Sequence, residues 1–391
     1  MSEPTGVHQH LSASPVQPGD RISAIDITRG IALFGVMGVN LATEFRVSLF
    51  QQFLPQSPAS SLLDRFADAF VTDVLYMKAW SLFSMLFGIG LAIQFERLSR
   101  TGRPILWLAR RLLVLLALGL THLYLIWDGD ILAVYAIVGL VVLPFLLAPN
   151  WLVGVAAVVC LAFYVAMPLI NTHIPSPTND WIGEHVARAD AIYRHGNFAA
   201  VLRFNIEDVA NIVPLHLFVF PRTVGLFLLG ALSWRLRLWR DAHAHKIAIT
   251  LIAIVGLWAG IALPAVKGAS TGPASQLAPF VLAIGYGATI VWLVEFSPAR
   301  SVLSVFGPLG RMAFSNYIAQ SIVFSWVFFG YGFGLYGHIG TAATLAIGTA
   351  VYILQILASS WWLRRYQYGP LEWLWRTLMY GKSQPMIANR I

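Results

Sequence analysis

Apolar runs of 18 or more residues recur along this chain, and a run of that length is what a helix needs to cross a bilayer. Charge is scarce enough to match: 11% of the 391 residues are Asp, Glu, Lys or Arg. A soluble domain is about a quarter charged, and so few charges cannot coat a water-facing surface. The sequence therefore predicts an all-α polytopic membrane protein. It excludes a soluble enzyme, a disulfide-framed secreted domain and a disordered regulator. An outer-membrane barrel is excluded too, because its strands would alternate apolar and polar residues. The single cysteine, Cys160, has no partner, so redox and cysteine-based metal chemistry are not expected. The net charge of +8 fits basic cytoplasmic loops better than nucleic-acid binding.

Ten spans are predicted: Ile25–Glu44, Lys78–Phe95, Leu106–Trp127, Ile131–Leu147, Trp151–Ile170, Val213–Trp234, Ile247–Val266, Leu277–Val294, Met312–Phe329 and Ala342–Leu363. Loop charge sets the orientation. Glu96–Arg111 holds five Arg and one Glu, Arg235–Lys246 holds four basic residues and Asp241, and the tail from Arg364 holds five basic residues and Glu372. With ten spans these three share one side. The segments 46–76 and 172–212 and the Asp128/Asp130 turn share the other. The excess of Lys and Arg then places both termini in the cytoplasm. Residues 1–20 read as a polar tail without a cleavable signal, and 21–391 as one transmembrane domain with a C-terminal region at about 213–380. Within 46–76, Leu62, Leu63, Phe66, Ala69, Phe70 and Val74 recur at helical spacing, which predicts an amphipathic helix at the outer interface. The 172–212 segment reads as two short amphipathic helices, either a functional cap or a structural plug.

Ionisable groups inside spans are costly, and they carry most of the chemical signal here. Arg222 lies nine residues inside its span, roughly 13 Å deep at helical rise, beside Pro221. That is too deep for easy snorkelling, so it must meet an acid, carbonyls, water or an anionic ligand; His216 shares its surroundings. His122 and Asp130 combine an imidazole with a carboxylate, as general base work requires, although Asp130 also suits an N-cap. Asn40 and Glu44 are four apart on the outer half of the first span; each reads either as a reacting group or as ordinary helix contact. Lys78 opens the second span, where snorkelling competes with facing the bundle. Asp26 and Arg29 share one face at the cytoplasmic start of the first span, as an internal ion pair or an anion clamp. Arg311, Asn316 and Gln320 open the ninth span; Arg311 could meet a phosphate, and the two amides suit helix–helix hydrogen bonds. No metal site is expected.

Several of these motifs occur together in order: Asp26-x-x-Arg29-Gly30 with Asn40, Leu86-Phe87-Gly88, His122 with Gly129-Asp130-Ile131-Leu132, Gly310-Arg311-Met312-Ala313-x-x-Asn316-Tyr317, and Gly369-Pro370-x-Glu372-Trp373-x-Trp375-Arg376. The set resembles the YeiB-type family of bacterial inner-membrane proteins, which carry a C-terminal domain of unknown function numbered 418. The opening motif is also similar, more distantly, to transmembrane acyltransferases of the acyltransferase-3 and heparan glucosaminide acetyltransferase groups. That resemblance implies acyl transfer from cytoplasmic acyl-CoA, a co-substrate and not a permanent cofactor, to an acceptor across the membrane. It puts Arg29 and Arg311 near the CoA phosphates and Arg222, Asn40 and the His122/Asp130 pair around a central to outer pocket. The sequence departs from both groups at the base: Asn40 and Gln51 stand where those groups place a histidine, so His122 or Glu44 must take its role. The other readings are a carrier of a small anionic metabolite, with Arg222 as counter-ion and Pro221 as hinge, and a non-catalytic scaffold. In every reading the partners are the lipid bilayer and a small molecule.

Overall fold

The computed structural model describes residues 22–55, 61–170, 177–265 and 272–387. The expected tail 1–20 and residues 171–176 of the long outer segment lie outside them. The chain is all-α: α1 Ser23–Asn40, α2 Leu62–Ala69, α3 Lys78–Leu98, α4 Pro104–Leu125, α5 Leu132–Val142, α6 Asn150–Ala166, α7 Asn179–His195 and α8 Phe198–Arg235. These are followed by α9 Lys246–Ala262, α10 Pro273–Phe296, the short α11 Arg300–Leu303 and α12 Gly307–Arg311, then α13 Ala313–Phe328, α14 Thr341–Leu363 and α15 Pro370–Tyr380. Each of the ten apolar segments of the sequence falls on one of these helices. Among the described residues, seven helical stretches are long and apolar enough to cross a membrane, while Leu132–Leu146 and Lys246–Ala262 are shorter apolar helices.

The distribution of polarity is that of a protein dissolved in lipid. Outward-facing side chains are apolar, such as Val158 on α6 and Trp258 on α9, whereas Thr28, Ser84, His122, Asp130, Arg222, Asn316 and Gln320 are buried. In hydrocarbon a polar group has to find its partner inside the protein. The helices can approach closely because small residues stand at the crossings. A Cβ at Gly88 would collide with the Phe227 backbone of α8, and one at Gly230 with the Met85 backbone of α3. This reciprocal contact seats α3 against α8, the two helices that carry much of the site below.

Contacts gather the loops at two ends, as the charge pattern groups them. At one end Arg46 O accepts from Gly337 N (2.9 Å), Asp64 accepts from Ala342 N (2.9 Å), and Tyr193 donates to Asp128 (3.4 Å). We call it the acidic end. At the opposite, basic end Glu96 pairs with Arg240 (2.8 Å), Trp375 donates to Arg111 O (2.9 Å), and α15 packs under α13. There the Glu372 carboxylate accepts from Phe314 N at 2.9 Å, Ser315 N at 3.1 Å and the Ser315 hydroxyl at 2.5 Å. It supplies the N-terminal cap that α13 lacks from its own sequence. Burial pushes the Glu372 carboxyl up, and these hydrogen bonds oppose that shift. Glu372→Ala is expected to destabilise the protein by ~1–3 kcal/mol, since it removes a cap and strands buried donors; thermal unfolding in detergent measures it.

Two local features depart from expectation. Among the described residues, the 172–212 segment holds one separate helix, α7. What reads as a second short helix is the beginning of α8, which is 38 residues long and continues through both Pro214 and Pro221. At helical rise it spans about 57 Å, well beyond a hydrocarbon core of about 30 Å. Its first turns therefore extend past the bundle at the acidic end, where α7 packs on them. Second, α2 continues through a wide helical turn, Phe70–Leu75, to Tyr76, and the chain breaks at Met77, whose φ of 63° is left-handed. The apolar residues Leu62 (66% exposed) and Phe66 (67%) face outward, as expected of an interfacial helix, while Asp64 and Asp68 face the start of α14.

Candidate functional site

The local chain at the end of α1 explains why Glu44 faces inward. Residues Leu41–Phe45 form one wide turn, closed by Arg46 N donating to Leu41 O at 3.0 Å. Such turns insert an extra residue and re-aim the side chains that follow, and they are frequent at functional sites. Asn40 and Glu44 thereby line a cavity of about 250 Å³. Tyr76, Met77, Trp80 and Ser84 contribute from the α2–α3 side, Gly129, Asp130 and Tyr135 from the turn into α5, Tyr317 from α13, and His216, Val219 and Arg222 from α8. Four of the eleven candidates from the sequence meet here: Asn40, Glu44, Asp130 and Arg222.

Arg222 is 4% exposed, yet no ion pair forms at its guanidinium among the described residues. Its Nη1 donates to the Met77 thioether at 3.1 Å, a weak acceptor, and the guanidinium lies 5.6 Å from the Tyr164 ring centre. Its buried Nε has no partner. The wall around it is otherwise mostly apolar.

Asp130 and His122 form a buried pair, each 1% exposed. His122 Nδ1 stands 2.8 Å from Asp130 Oδ1, and Asp130 Oδ2 accepts from Ala133 N at 2.7 Å at the start of α5. The order of the two is informative. Asp130 faces the cavity and His122 lies behind it, packed against Tyr317 at 5.4 Å between ring centres. A carboxylate on Nδ1 fixes the proton there and leaves Nε2 with a free lone pair; that Nε2 is buried without a partner.

A second polar cluster sits above this turn, under α7. Tyr193 donates to Asn205 (3.0 Å) and to Asp128 (3.4 Å), His185 lies 3.1 Å from Asp208, and Asn211 donates to Asp208 (2.8 Å). Burial, and then the neighbouring Asp208 charge, push the Asp128 carboxyl up to about 7.

The remaining candidates stand elsewhere. Lys78 turns away from the cavity and donates to Thr72 O at 2.8 Å, because the left-handed Met77 places the methionine, and not the lysine, on the cavity wall. Asn316 donates to Ser359 (2.9 Å) and Gln320 to Gln355 (2.8 Å), tying α13 to α14. At the basic end Arg29 pairs with Asp26 (2.9 Å) and reaches Gly310 O (3.4 Å). The Nε atoms of Arg311 and Arg111 are buried there without partners. Arg111, whose guanidinium stacks 3.7 Å from the Trp375 ring centre, was not among the sequence candidates. Nor were Tyr76, Ser84 and Tyr135 in the cavity: a hydroxyl within an apolar helix gives no sequence signal until its neighbours are known. Among the described residues no group of three or more His, Cys, Asp or Glu could hold a metal.

The family model described as "Protein of unknown function (DUF418)" matches residues 228–382. "Uncharacterized protein YxaH" of Bacillus subtilis (strain 168) is 33% identical, with 96% of this chain and 98% of the relative covered. "Uncharacterized protein YeiB" of Escherichia coli (strain K12) is 28% identical over 95% of this chain and 99% of its own length. With a relative of that similarity matched nearly end to end, and YeiB matched over the same extent, this chain belongs to the YeiB-type, DUF418 family of bacterial proteins.

Proposed function

We propose that the protein is an inner-membrane acyltransferase that moves an acyl group from cytoplasmic acyl-CoA to an acceptor held in the Arg222 cavity. The observation that carries this reading is the buried His122–Asp130 pair at the cavity wall, with His122 Nε2 left as a free lone pair. The reading takes the basic end as cytoplasmic, where Arg29, Arg311 and Arg111 would meet the CoA phosphates. An acceptor hydroxyl would give its proton to His122 as its oxygen attacks the thioester carbonyl. The Asn40 amide would hold the oxyanion of the tetrahedral adduct. Collapse of that adduct would expel the CoA thiolate, which takes up the proton from His122. Since His122 stands behind Asp130, this sequence requires Tyr317 to shift and open Nε2 to the cavity. His122→Ala is expected to lower acyl-CoA turnover by about 10²–10⁴-fold, assayed as free thiol released by protein in nanodiscs. Unchanged turnover would remove His122 from the reaction.

One observation favours a second reading, a carrier of small anions: Arg222 forms no ion pair among the described residues. A carrier would move labelled anion across a vesicle unchanged and consume no acyl-CoA, and that comparison separates the two.

A further inference from the structure

The cavity at Arg222 has one end that is charged and a rim that belongs to the lipid-facing surface. Phe53, which lines it, is 46% exposed, so the cavity reaches the surface there. On α8 the lining residues Ile212, Leu215 and Phe218 alternate with Val213 (44% exposed) and Leu217 (58%), which face outward. The rim is therefore continuous with the apolar exterior. Along α8 the lining is apolar at Ile212, Leu215, Phe218 and Val219, with His216 among them, up to Arg222, whose Nε is buried and unpartnered. A soluble anion would gain little from such walls, and a neutral chain would leave the guanidinium unpaired.

We infer that the natural occupant of this cavity is an anionic amphiphile drawn from the bilayer, its carboxylate or phosphate on Arg222 and its chain along the rim of α8. This rests on the proposed function only for the occupant's role as acceptor; the site itself requires only Arg222 and the rim. The head would complete the guanidinium's hydrogen bonds as a paired fork. The chain would replace the lipid contacts it gives up on leaving the leaflet, so transfer into the cavity costs little apolar burial.

The test uses the full chain in phosphatidylcholine nanodiscs, with retention on empty nanodiscs subtracted. Radiolabelled dodecanoate is the probe, and dodecyl phosphate, dodecanol and inorganic phosphate are competitors. Saturable dodecanoate binding is expected, displaced by dodecyl phosphate but not by dodecanol. Inorganic phosphate should compete at least ~10-fold more weakly than dodecyl phosphate. Arg222→Gln should weaken binding by at least ~10-fold. Val219→Trp, which fills the cavity without touching the charge, should do the same; thermal unfolding checks that both variants fold. Equal binding by Arg222→Gln, or equal competition by dodecanol, would overturn the anionic head. Inorganic phosphate competing as well as dodecyl phosphate would overturn the amphiphile and point to a soluble anion. Acyl-CoA consumption is followed in the same preparation with 12-hydroxydodecanoate, which carries both the anionic head and an acceptor hydroxyl. Binding without consumption would leave this site standing and remove the acyltransferase reading; consumption without dodecanoate binding would do the reverse.

Discussion

Replacing Arg222 by methionine is expected to raise the unfolding temperature of the ligand-free protein and to cut its response to ligand by at least about half. The wild-type guanidinium is nearly fully buried, donates to a thioether with the Tyr164 hydroxyl also in reach, forms no ion pair among the described residues, and leaves Nε unsatisfied. An arginine at such depth costs on the order of 2.5–3.5 kcal/mol even on insertion-based scales. Methionine keeps the stem volume and removes the charge, so ~1–3 kcal/mol of stability should return. Two effects oppose this gain: longer-range attraction to Glu44 and Asp130 across the cavity, and contact with the Tyr164 ring. Neither matches a direct ion pair, because no carboxylate is paired with the guanidinium. Ligand reverses the comparison. A ligand at 100 times its Kd stabilises the wild type by about 2.7 kcal/mol, and should stabilise a variant that binds at least tenfold more weakly by no more than about 1.4 kcal/mol. Thermal melts with and without dodecanoate give both numbers. A variant that melts lower without ligand would mean that Arg222 is a structural tie, and the case for an anion site would fall.

The same arginine shows how far the sequence could be read. Depth within an apolar run marks Arg222 without any structure, because a charge there has to be accounted for. Asn40 and Glu44, at helical spacing, and Asp130 beside His122 were also legible, since their spacing implies proximity. What the sequence did not show is side-chain direction where the backbone departs from ideal geometry. The left-handed Met77 exchanges the roles of two adjacent residues, sending Lys78 out and Met77 in. Nothing in Tyr76-Met77-Lys78 announces a positive φ. The length of α8 was hidden for a related reason. Pro214 reads as a boundary in a water-exposed segment, but a helix packed against α3 and α6 loses only one hydrogen bond there and continues. Partners distant in sequence were the third gap. Asn316 and Gln320 share a face as expected, but the groups that satisfy them, Ser359 and Gln355, lie on α14. Ten spans and a cytoplasmic basic end remain part of the proposed topology; the helices and the separation of the two charged ends are in the fold itself.

Asp128→Asn is expected to remove most of the pH dependence of stability between about pH 4 and pH 7. The Asp128 carboxyl lies in the turn between α4 and α5, is 7% exposed, and has a pKa of about 7, against 3.8 for an ordinary aspartate. Burial is the larger cause and the Asp208 charge the second. The sign follows from proton counting. Between those two values the native chain holds a proton on Asp128 that the unfolded chain has released, so stability falls as pH rises through the window. Above pH 7 the native carboxylate is charged and the penalty is complete, at most ~4 kcal/mol for a shift of about three units. Asparagine stays neutral throughout, and its carbonyl still accepts from Tyr193. The variant should therefore match wild type near pH 4 and exceed it by ~2–4 kcal/mol at pH 8. Parallel stability–pH curves for the two would show that Asp128 is ionised in the native state at every pH tested. Convergence near pH 4 with divergence up to about pH 7 would instead mean that the α7 cap closes over a protonated acid one residue from the cavity wall.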